Sequence, residues 1–200
     1  MMQWPISTRT NLFRVGVHAI VRMCSTRTNY WLSMMLEITL GCTLLALGVQ
    51  HSSVLTIALF VPVGLFLFSF IEYLFHRWIF HTRISPFAEG HSKHHCDPQG
   101  YDALPFFLPT LILLGLFGLF LLCLPGGSAL LLTGVITFGY VTYGLSHFII
   151  HHVCFKQPLL RRWAAFHHIH HHHPGTNFGV TSPLWDYLLG TRYVRTGRSR

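Results

Sequence analysis

The sequence predicts an all-α integral membrane protein, with four transmembrane helices arranged as two hairpins beneath a histidine-rich cap. Two observations support this fold class. The 200-residue chain is 51% hydrophobic and only 10% charged, whereas soluble domains carry roughly 25% charged residues. It also contains 16 histidines, and all but two of them lie between positions 76 and 173.

Four apolar stretches account for the predicted membrane spans, near residues 30–50, 54–75, 104–124 and 128–150. Each has close to the roughly 20 residues that a transmembrane helix needs. The turn His51-Ser52-Ser53 joins the first pair, and Pro125-Gly126-Gly127-Ser128 joins the second pair. Such short polar or glycine-rich breaks are typical of helical hairpins.

The basic residues orient these hairpins in the membrane. All 14 lysines and arginines lie before the first span, between the second and third spans, or after the fourth, and neither short turn contains one. By the positive-inside rule, both termini and the cap, residues 76–102 and 151–200, face the cytoplasm. Because topology accounts for the excess positive charge, we do not expect nucleic-acid binding.

Residues 1–29 form a basic segment ahead of the membrane domain, which comprises residues 30–200. Within this segment, apolar and basic residues occupy different faces of a helix. The apolar face contains Phe13, Val17, Ile20, Val21 and Cys24, and the basic face contains Arg14, His18 and Arg22. The pattern favours a helix lying in the cytoplasmic interface, with an unordered basic tail as the alternative.

The histidines form four groups, all on the predicted cytoplasmic side. Residues three and four apart share one face of an α-helix, so most groups can direct several imidazoles to one point. The groups are His76 and His81; His91, His94 and His95; His147, His151 and His152; and His167, His168, His170, His171, His172 and His173.

His76 and His81 depart from this spacing because they are five residues apart. On an α-helix this separation corresponds to about 140° around the axis. The intervening residues 77–80 contain no proline or glycine that would end the helix. The sequence therefore predicts that the two histidines serve different metals.

The histidine supply indicates two metal ions. One tetrahedral zinc needs only four ligands, and a tag-like tract at His170–His173 would leave the other groups unexplained. Imidazole suits Fe, Zn, Cu and Ni. Two carboxylates in these segments, Glu72 and Asp186, are predicted to accept imidazole N–H groups behind the metal ligands.

These motifs resemble the fatty acid hydroxylase superfamily, the sterol desaturase-like enzymes, and within it most closely the fatty acid and ceramide 2-hydroxylases. The resemblance covers about residues 70–191. Its motifs are Glu72-Tyr-Leu-Phe-His-Arg-Trp-Ile-Phe-His81, His91-Ser-Lys-His-His95, His147-Phe-Ile-Ile-His-His152, and the run His167 to His173 followed by Asn177-Phe-Gly-Val-Thr-Ser-Pro-Leu-Trp-Asp-Tyr-Leu-Leu-Gly-Thr191.

The resemblance implies a membrane-bound oxidoreductase of lipid biosynthesis. Two metal ions, iron in the family and zinc as an alternative occupant in purified protein, would activate O2 to hydroxylate an acyl chain of a fatty acid or sphingolipid. No catalytic residue beyond the metal ligands is implied. Those ligands would be His76, His81, His91, His94, His95, His147, His151, His167, His170 and His171, with His152, His168 and His172 as alternates in register.

Partners and competing functions also follow from these observations. The 29 residues before the first span are too few for the cytochrome b5 domain of eukaryotic 2-hydroxylases, so we expect a separate electron donor, either a cytochrome b5-like protein or a ferredoxin-type reductase system. A desaturase or a sterol or carotenoid oxidase would share the same metal chemistry. A histidine-rich metal transporter is the alternative from another class, but the predicted spans lack the ligands near the bilayer midplane that transport requires.

Overall fold

Among the described residues, seven α-helices with complete bounds and one π-helical turn form the fold, and there is no β-strand. The structure is a computed structural model and describes residues 15–16, 19–20, 22–81, 86–101 and 103–195. The helices are α1 (Arg27–Gln50), α2 (Val54–Leu74), α3 (Pro86–Cys96), α4 (Phe107–Leu121), α5 (Gly126–His152), α6 (Pro158–His172) and α7 (Leu184–Leu188), and the π-helical turn is Phe75–Phe80.

The first hairpin begins and turns at side-chain caps. The Thr26 hydroxyl accepts a hydrogen bond from the Asn29 backbone N–H at the start of α1, and the Ser53 hydroxyl accepts one from the Thr56 N–H at the start of α2. Such caps satisfy backbone donors that have no partner within the helix. The predicted turn at residues 51–53 is thus confirmed.

Three helical segments are long and apolar enough to cross a membrane. They are Arg27–Gln50, Val54–Phe80 and Gly126–His152. Many large apolar side chains on them point away from the protein; Val54 and Leu55 are 84% and 80% exposed. An outward apolar surface of this kind requires lipid as its solvent.

The predicted span at 104–124 is shorter in the structure. Helix α4 has 15 residues and is therefore about 22 Å long, against a hydrocarbon thickness of roughly 30 Å. Asn29 explains its late start, because its side chain donates to the Leu104 carbonyl and accepts from the Phe106 N–H. These contacts hold the residues before α4 outside the helix, so the prediction of four full-length spans is not confirmed.

Helix α5 is the centre of the bundle and contacts α1, α2 and α4. Glycines allow close approach: a Cβ at Gly139 would overlap the Phe68 ring, and one at Gly48 would meet the Leu131 backbone N at 2.8 Å. Small residues at such crossings are typical of helices packed in membranes. Beyond the bundle, α3 contacts the π-helical turn and α6 contacts the end of α5.

The predicted interfacial helix at the N-terminus falls largely outside the described residues. Its defining positions Phe13, Arg14, Val17, His18 and Val21 are not among those that the structure describes.

Candidate metal centre

Ten histidines converge in two groups of five. Within each group, the potential ligand nitrogens lie within 4.8 Å of one another. Cluster one consists of His76, His81, His91, His95 and His170, and cluster two consists of His94, His147, His151, His167 and His171.

The π-helical turn brings His76 and His81 into the same cluster. In a π-helix the backbone hydrogen bonds run from residue i to residue i+5, so two residues five apart lie one above the other. Both Nε2 atoms approach that of His91, at 3.1 Å from His76 and 3.0 Å from His81. The prediction that these residues face different metals is wrong because the helix widens here without a proline or glycine.

Helices α3 and α6 each contribute to both clusters. Helix α3 supplies His91 and His95 to cluster one and His94 to cluster two, while α6 supplies His167 and His171 to cluster two and His170 to cluster one. The three histidines of each of these helices therefore do not serve one point, as their spacing would allow, whereas His147 and His151 do lie in one cluster. Each helix directs its i, i+4 pair to one cluster and the remaining histidine to the other.

The nitrogen separations fit metal coordination. Neighbouring Nε2 atoms are 3.0 to 3.2 Å apart in cluster one and 3.1 to 3.2 Å apart in cluster two. Ligands about 2.0–2.1 Å from a metal, at angles between square and tetrahedral values, are roughly 2.9–3.4 Å apart. Both clusters thus have the ligand spacing of an ion-binding site.

Backbone carbonyls fix the tautomers of two cluster-one imidazoles. His76 Nδ1 donates to the Phe178 carbonyl, and His170 Nδ1 donates to the Thr176 carbonyl at 2.8 Å. A neutral imidazole that donates from Nδ1 has its lone pair on Nε2. These lone pairs point into the cluster, where a cation would relieve their mutual repulsion.

Cluster two contains a buried nitrogen atom that a bound metal ion would provide with a partner. His147 Nε2 is buried and has no hydrogen-bond partner among the described residues. A buried polar atom without a partner is costly, and a metal ion bound to this nitrogen would remove the cost. The donor set therefore fits two metal ions that favour imidazole.

Burial lowers the pKa values of four clustered histidines in the cap, His91, His95, His167 and His170. Desolvation, with a smaller contribution from neighbouring imidazoles, lowers the pKa of His95 to about 4. Burial also lowers the pKa of His170 to about 3, although the Thr176 carbonyl opposes the shift. The pKa values of His91 and His167 are shifted down for the same reasons. Neutral imidazole is the form that binds metals.

The alternate histidines lie outside both clusters. His152 is exposed, stacks on the Phe148 ring at 3.9 Å between centroids, and its Nδ1 donates to the Phe148 carbonyl. His168 and His172 are exposed on α6. The structure thus brings His151, rather than His152, together with the other cluster-two residues.

Glu72 and Asp186 hold a loop instead of accepting imidazole N–H groups. Glu72 accepts from the Val180 and Thr181 backbone N–H groups and from the Thr181 hydroxyl. Asp186 accepts from the Phe178 and Gly179 N–H groups and from the Thr191 hydroxyl. The predicted contact with imidazoles is wrong because the loop backbone lies between these carboxylates and cluster one.

Asn177 begins the tail motif that carries the family resemblance, but the sequence assigned it no role, and in the structure it anchors the same loop. It has a positive φ of 55°, and its side chain donates to the Phe166 carbonyl and accepts from the Tyr193 N–H. Asparagine tolerates this backbone region better than most residues, which is the one signal the sequence offers. The Phe178 and Thr176 carbonyls have no side-chain signature at all.

An apolar cavity of about 380 Å³ adjoins both clusters. Its walls come from α1, α3, α4 and α5, from residues 103–105, and from Ile20, Cys24 and Ser25. His91 of cluster one and His94 and His147 of cluster two line it. A lipid chain in this space would lie beside both candidate metal sites.

This architecture defines an integral membrane protein with paired histidine clusters suited to two metal ions. The chain belongs to the fatty acid hydroxylase family, whose sequence model matches residues 61–191, more than half of the chain. The predicted resemblance is thus confirmed.

Named relatives agree with this family assignment. The chain is 29% identical to the dihydroceramide fatty acyl 2-hydroxylase FAH2 of Arabidopsis thaliana over 83% of this chain and 74% of that protein. It is 34% identical to a fatty acid 2-hydroxylase of Macaca fascicularis over 64% of this chain and 38% of the relative. The chain thus spans well under half the length of the macaque relative.

A solved structure shares the fold. It is described as full-length Scs7p with only the hydroxylase domain visible, and it superposes with a TM-score of 0.73 at 23% identity, covering 90% of this chain and 72% of that one.

Proposed function

We propose that this protein is a membrane-bound lipid hydroxylase that uses O2 and two metal ions to hydroxylate an acyl chain of a fatty acid or sphingolipid. The observation that carries the proposal is the position of two five-histidine clusters beside one apolar cavity. The relatives named as fatty acid and dihydroceramide 2-hydroxylases support the lipid substrate.

The proposed ligands are the ten clustered histidines, and the proposed metal is iron. When bound, the metal pair would supply the O2 activation that oxidation of an unactivated C–H bond requires. The protein directs the Nε2 atoms of these imidazoles inward and excludes water with apolar walls. Glu72 and Asp186 act indirectly, because they hold the loop whose carbonyl orients His76.

The proposed placement in the membrane has the clusters, both termini and the cap in the cytoplasm. The basic residues in the cap and the N-terminal segment support this orientation. In this arrangement α4 completes a four-helix bundle, residues 30–200 act as one hydroxylase domain, and residues 1–29 lie at the interface. Reducing equivalents come from a separate cytochrome b5-like or ferredoxin-type donor.

Mass spectrometry of total lipids from cells that express the protein tests the proposed reaction. We expect acyl species heavier by one oxygen atom in cells with the wild-type protein. The variants His151→Ala and His170→Ala each remove one proposed ligand from a different cluster and should abolish these species. His152→Ala is the matched control, since its exposed imidazole lies outside both clusters, and it should retain the product.

Two results would contradict the proposal. Species lighter by two hydrogens would identify a desaturase. Unchanged lipids, despite well-expressed protein and a supplied electron donor, would instead favour metal binding or transport.

A further inference from the structure

The apolar cavity extends from the cap towards the interior of the bundle. The lining residues farthest from the cap along their helices, Met34 of α1 and Tyr140 of α5, form its deep end. Tyr140 precedes the cluster-two residue His147 by seven positions on α5, which is about 10 Å along the helix axis. The cap end is lined by Ile20 and Gly90, among others.

This shape fixes the direction of a bound lipid. An acyl tail belongs at the deep end, where the walls are apolar and aromatic and the surrounding helices are embedded in lipid. The polar group attached to the chain belongs at the cap end, because polar groups remain at the membrane interface. The cap end therefore contacts the part of the substrate next to its polar group.

Gly90 lines the cap end of the cavity and, as a glycine, places no side chain in it. It lies on α3, directly before the cluster-one residue His91. A Cβ at Gly90 would meet no atom of the described residues within 4 Å. By contrast, a Cβ at Gly144, which also lines the cavity, would lie 2.9 Å from Met34 Cε. Gly144 therefore provides helix packing, whereas Gly90 provides open volume.

We propose that Gly90 is a specificity-determining residue that leaves room in the cavity for a bulky polar group attached to the acyl chain, such as the amide-linked base of a ceramide. This inference rests on the proposed function. A side chain at position 90 would enter the cavity beside His91 and would exclude such lipids. It would not reach the tail, which lies at the opposite end.

The variant Gly90→Leu tests this assignment with little risk to the fold. Leucine is a better helix former than glycine, and the described residues leave space around this position. The matched control is Gly115→Leu on α4, where a Cβ also meets no described atom within 4 Å and where the glycine is exposed and does not line the cavity.

The measurement is equilibrium binding of radiolabelled ceramides, one with a long and one with a short acyl chain, to the purified full-length protein in detergent, with metal content measured in parallel. We expect Gly90→Leu to weaken the binding of both ceramides by a similar factor, roughly tenfold to a hundredfold. Its metal content should equal that of the wild type, and Gly115→Leu should bind both ceramides normally.

Several results would overturn the inference. Unchanged ceramide binding by Gly90→Leu, or no ceramide binding by the wild type, would exclude the assignment. Normal binding of the short-chain ceramide alone would place position 90 beside the tail, and loss of metal would indicate a structural role. If the wild type binds ceramide but never hydroxylates it, the proposed function is refuted. The role of Gly90 is then still decided by whether Gly90→Leu weakens ceramide binding.

Discussion

Individual imidazoles in the two clusters are held by different means. In cluster one, His76 and His170 donate to carbonyls of the segment 176–178. In cluster two, His167 Nδ1 and His171 Nδ1 are buried without a hydrogen-bond partner among the described residues. Hydrogen bonds behind metal ligands fix ring orientation and raise metal affinity. The loop 176–181 therefore acts mainly on cluster one.

Replacing Asp186 with asparagine tests whether the loop 176–181 supports metal binding at cluster one. Asp186 is fully buried and accepts three hydrogen bonds, and the amide would direct an N–H group towards a backbone donor. We expect Asp186→Asn to lower metal affinity at cluster one by roughly tenfold to a hundredfold. The measurement is metal content per chain after dialysis against a graded chelator, made in the His151→Ala background so that only cluster one is complete.

Asp97→Asn is the control for this experiment, since Asp97 is an exposed cap residue, and it should leave metal retention unchanged. Equal retention by the Asp186→Asn and Asp97→Asn proteins would show that the loop does not support cluster one.

The family resemblance implied the ten histidines that cluster, but neither it nor the sequence spacing indicated how they divide between two clusters. Residues at i, i+3 and i+4 share a helix face, yet His94 and His170 each turn to the other cluster. Which neighbour an imidazole meets depends on how α3 and α6 pack, and spacing does not encode packing. The carbonyls of Thr176 and Phe178 were unpredictable for a simpler reason, because every residue has one.

Among the secondary-structure elements, the π-helical turn departs most from the sequence prediction. Residues 77–80 have no helix-breaking residue, so an α-helix was the expected conformation. The turn ends a membrane helix beside two converging histidines, a position in which π-helical turns frequently mark function. Its stability comes from tertiary contacts, such as that between His76 and Phe178, which local sequence does not reveal.

The close packing of α2 against α5 predicts how a substitution at Gly139 changes stability. We expect Gly139→Ala to lower the free energy of unfolding by about 1–3 kcal/mol, because the added methyl group overlaps the buried Phe68 ring. Thermal unfolding in detergent, followed by intrinsic fluorescence, should show a transition lower by about 2–10 °C.

The matched change Gly118→Ala adds the same methyl group on α4, where it meets no described atom within 4 Å. Its transition should not fall. If both variants unfold at the wild-type temperature, the packing of Phe68 against Gly139 is not tight.

For the whole molecule, the arrangement of helices places both histidine clusters and the cavity at one end of the bundle. All ten clustered histidines come from four places, which are the π-helical turn with its C-cap His81, the end of α5, and the cap helices α3 and α6. The alternation of apolar stretches and histidine groups predicted this layout well. The length of α4 was overestimated because the hydrogen bonds between Asn29 and residues 104–106 involve residues far apart in the chain.

Native cysteines test the proposed orientation. Cys96 and Cys154 lie in the cap and Cys123 lies in the turn between α4 and α5, and all three are exposed. In single-cysteine variants on intact cells, a membrane-impermeant maleimide should label Cys123 alone. Cys96 and Cys154 should react only after permeabilisation, which also serves as the control for reactivity. Labelling of Cys96 or Cys154 without permeabilisation would reverse the topology.

The most direct test of the account is the source of oxygen in the product. Purified protein loaded with ferrous iron is supplied with a chemical reductant, ceramide and heavy-isotope dioxygen, and His151→Ala protein serves as the control. The wild-type protein should give a hydroxylated acyl chain that carries the heavy isotope, and the variant should give no product. A hydroxyl group derived from water, an unsaturated chain without added oxygen, or equal product from the His151→Ala protein would contradict it.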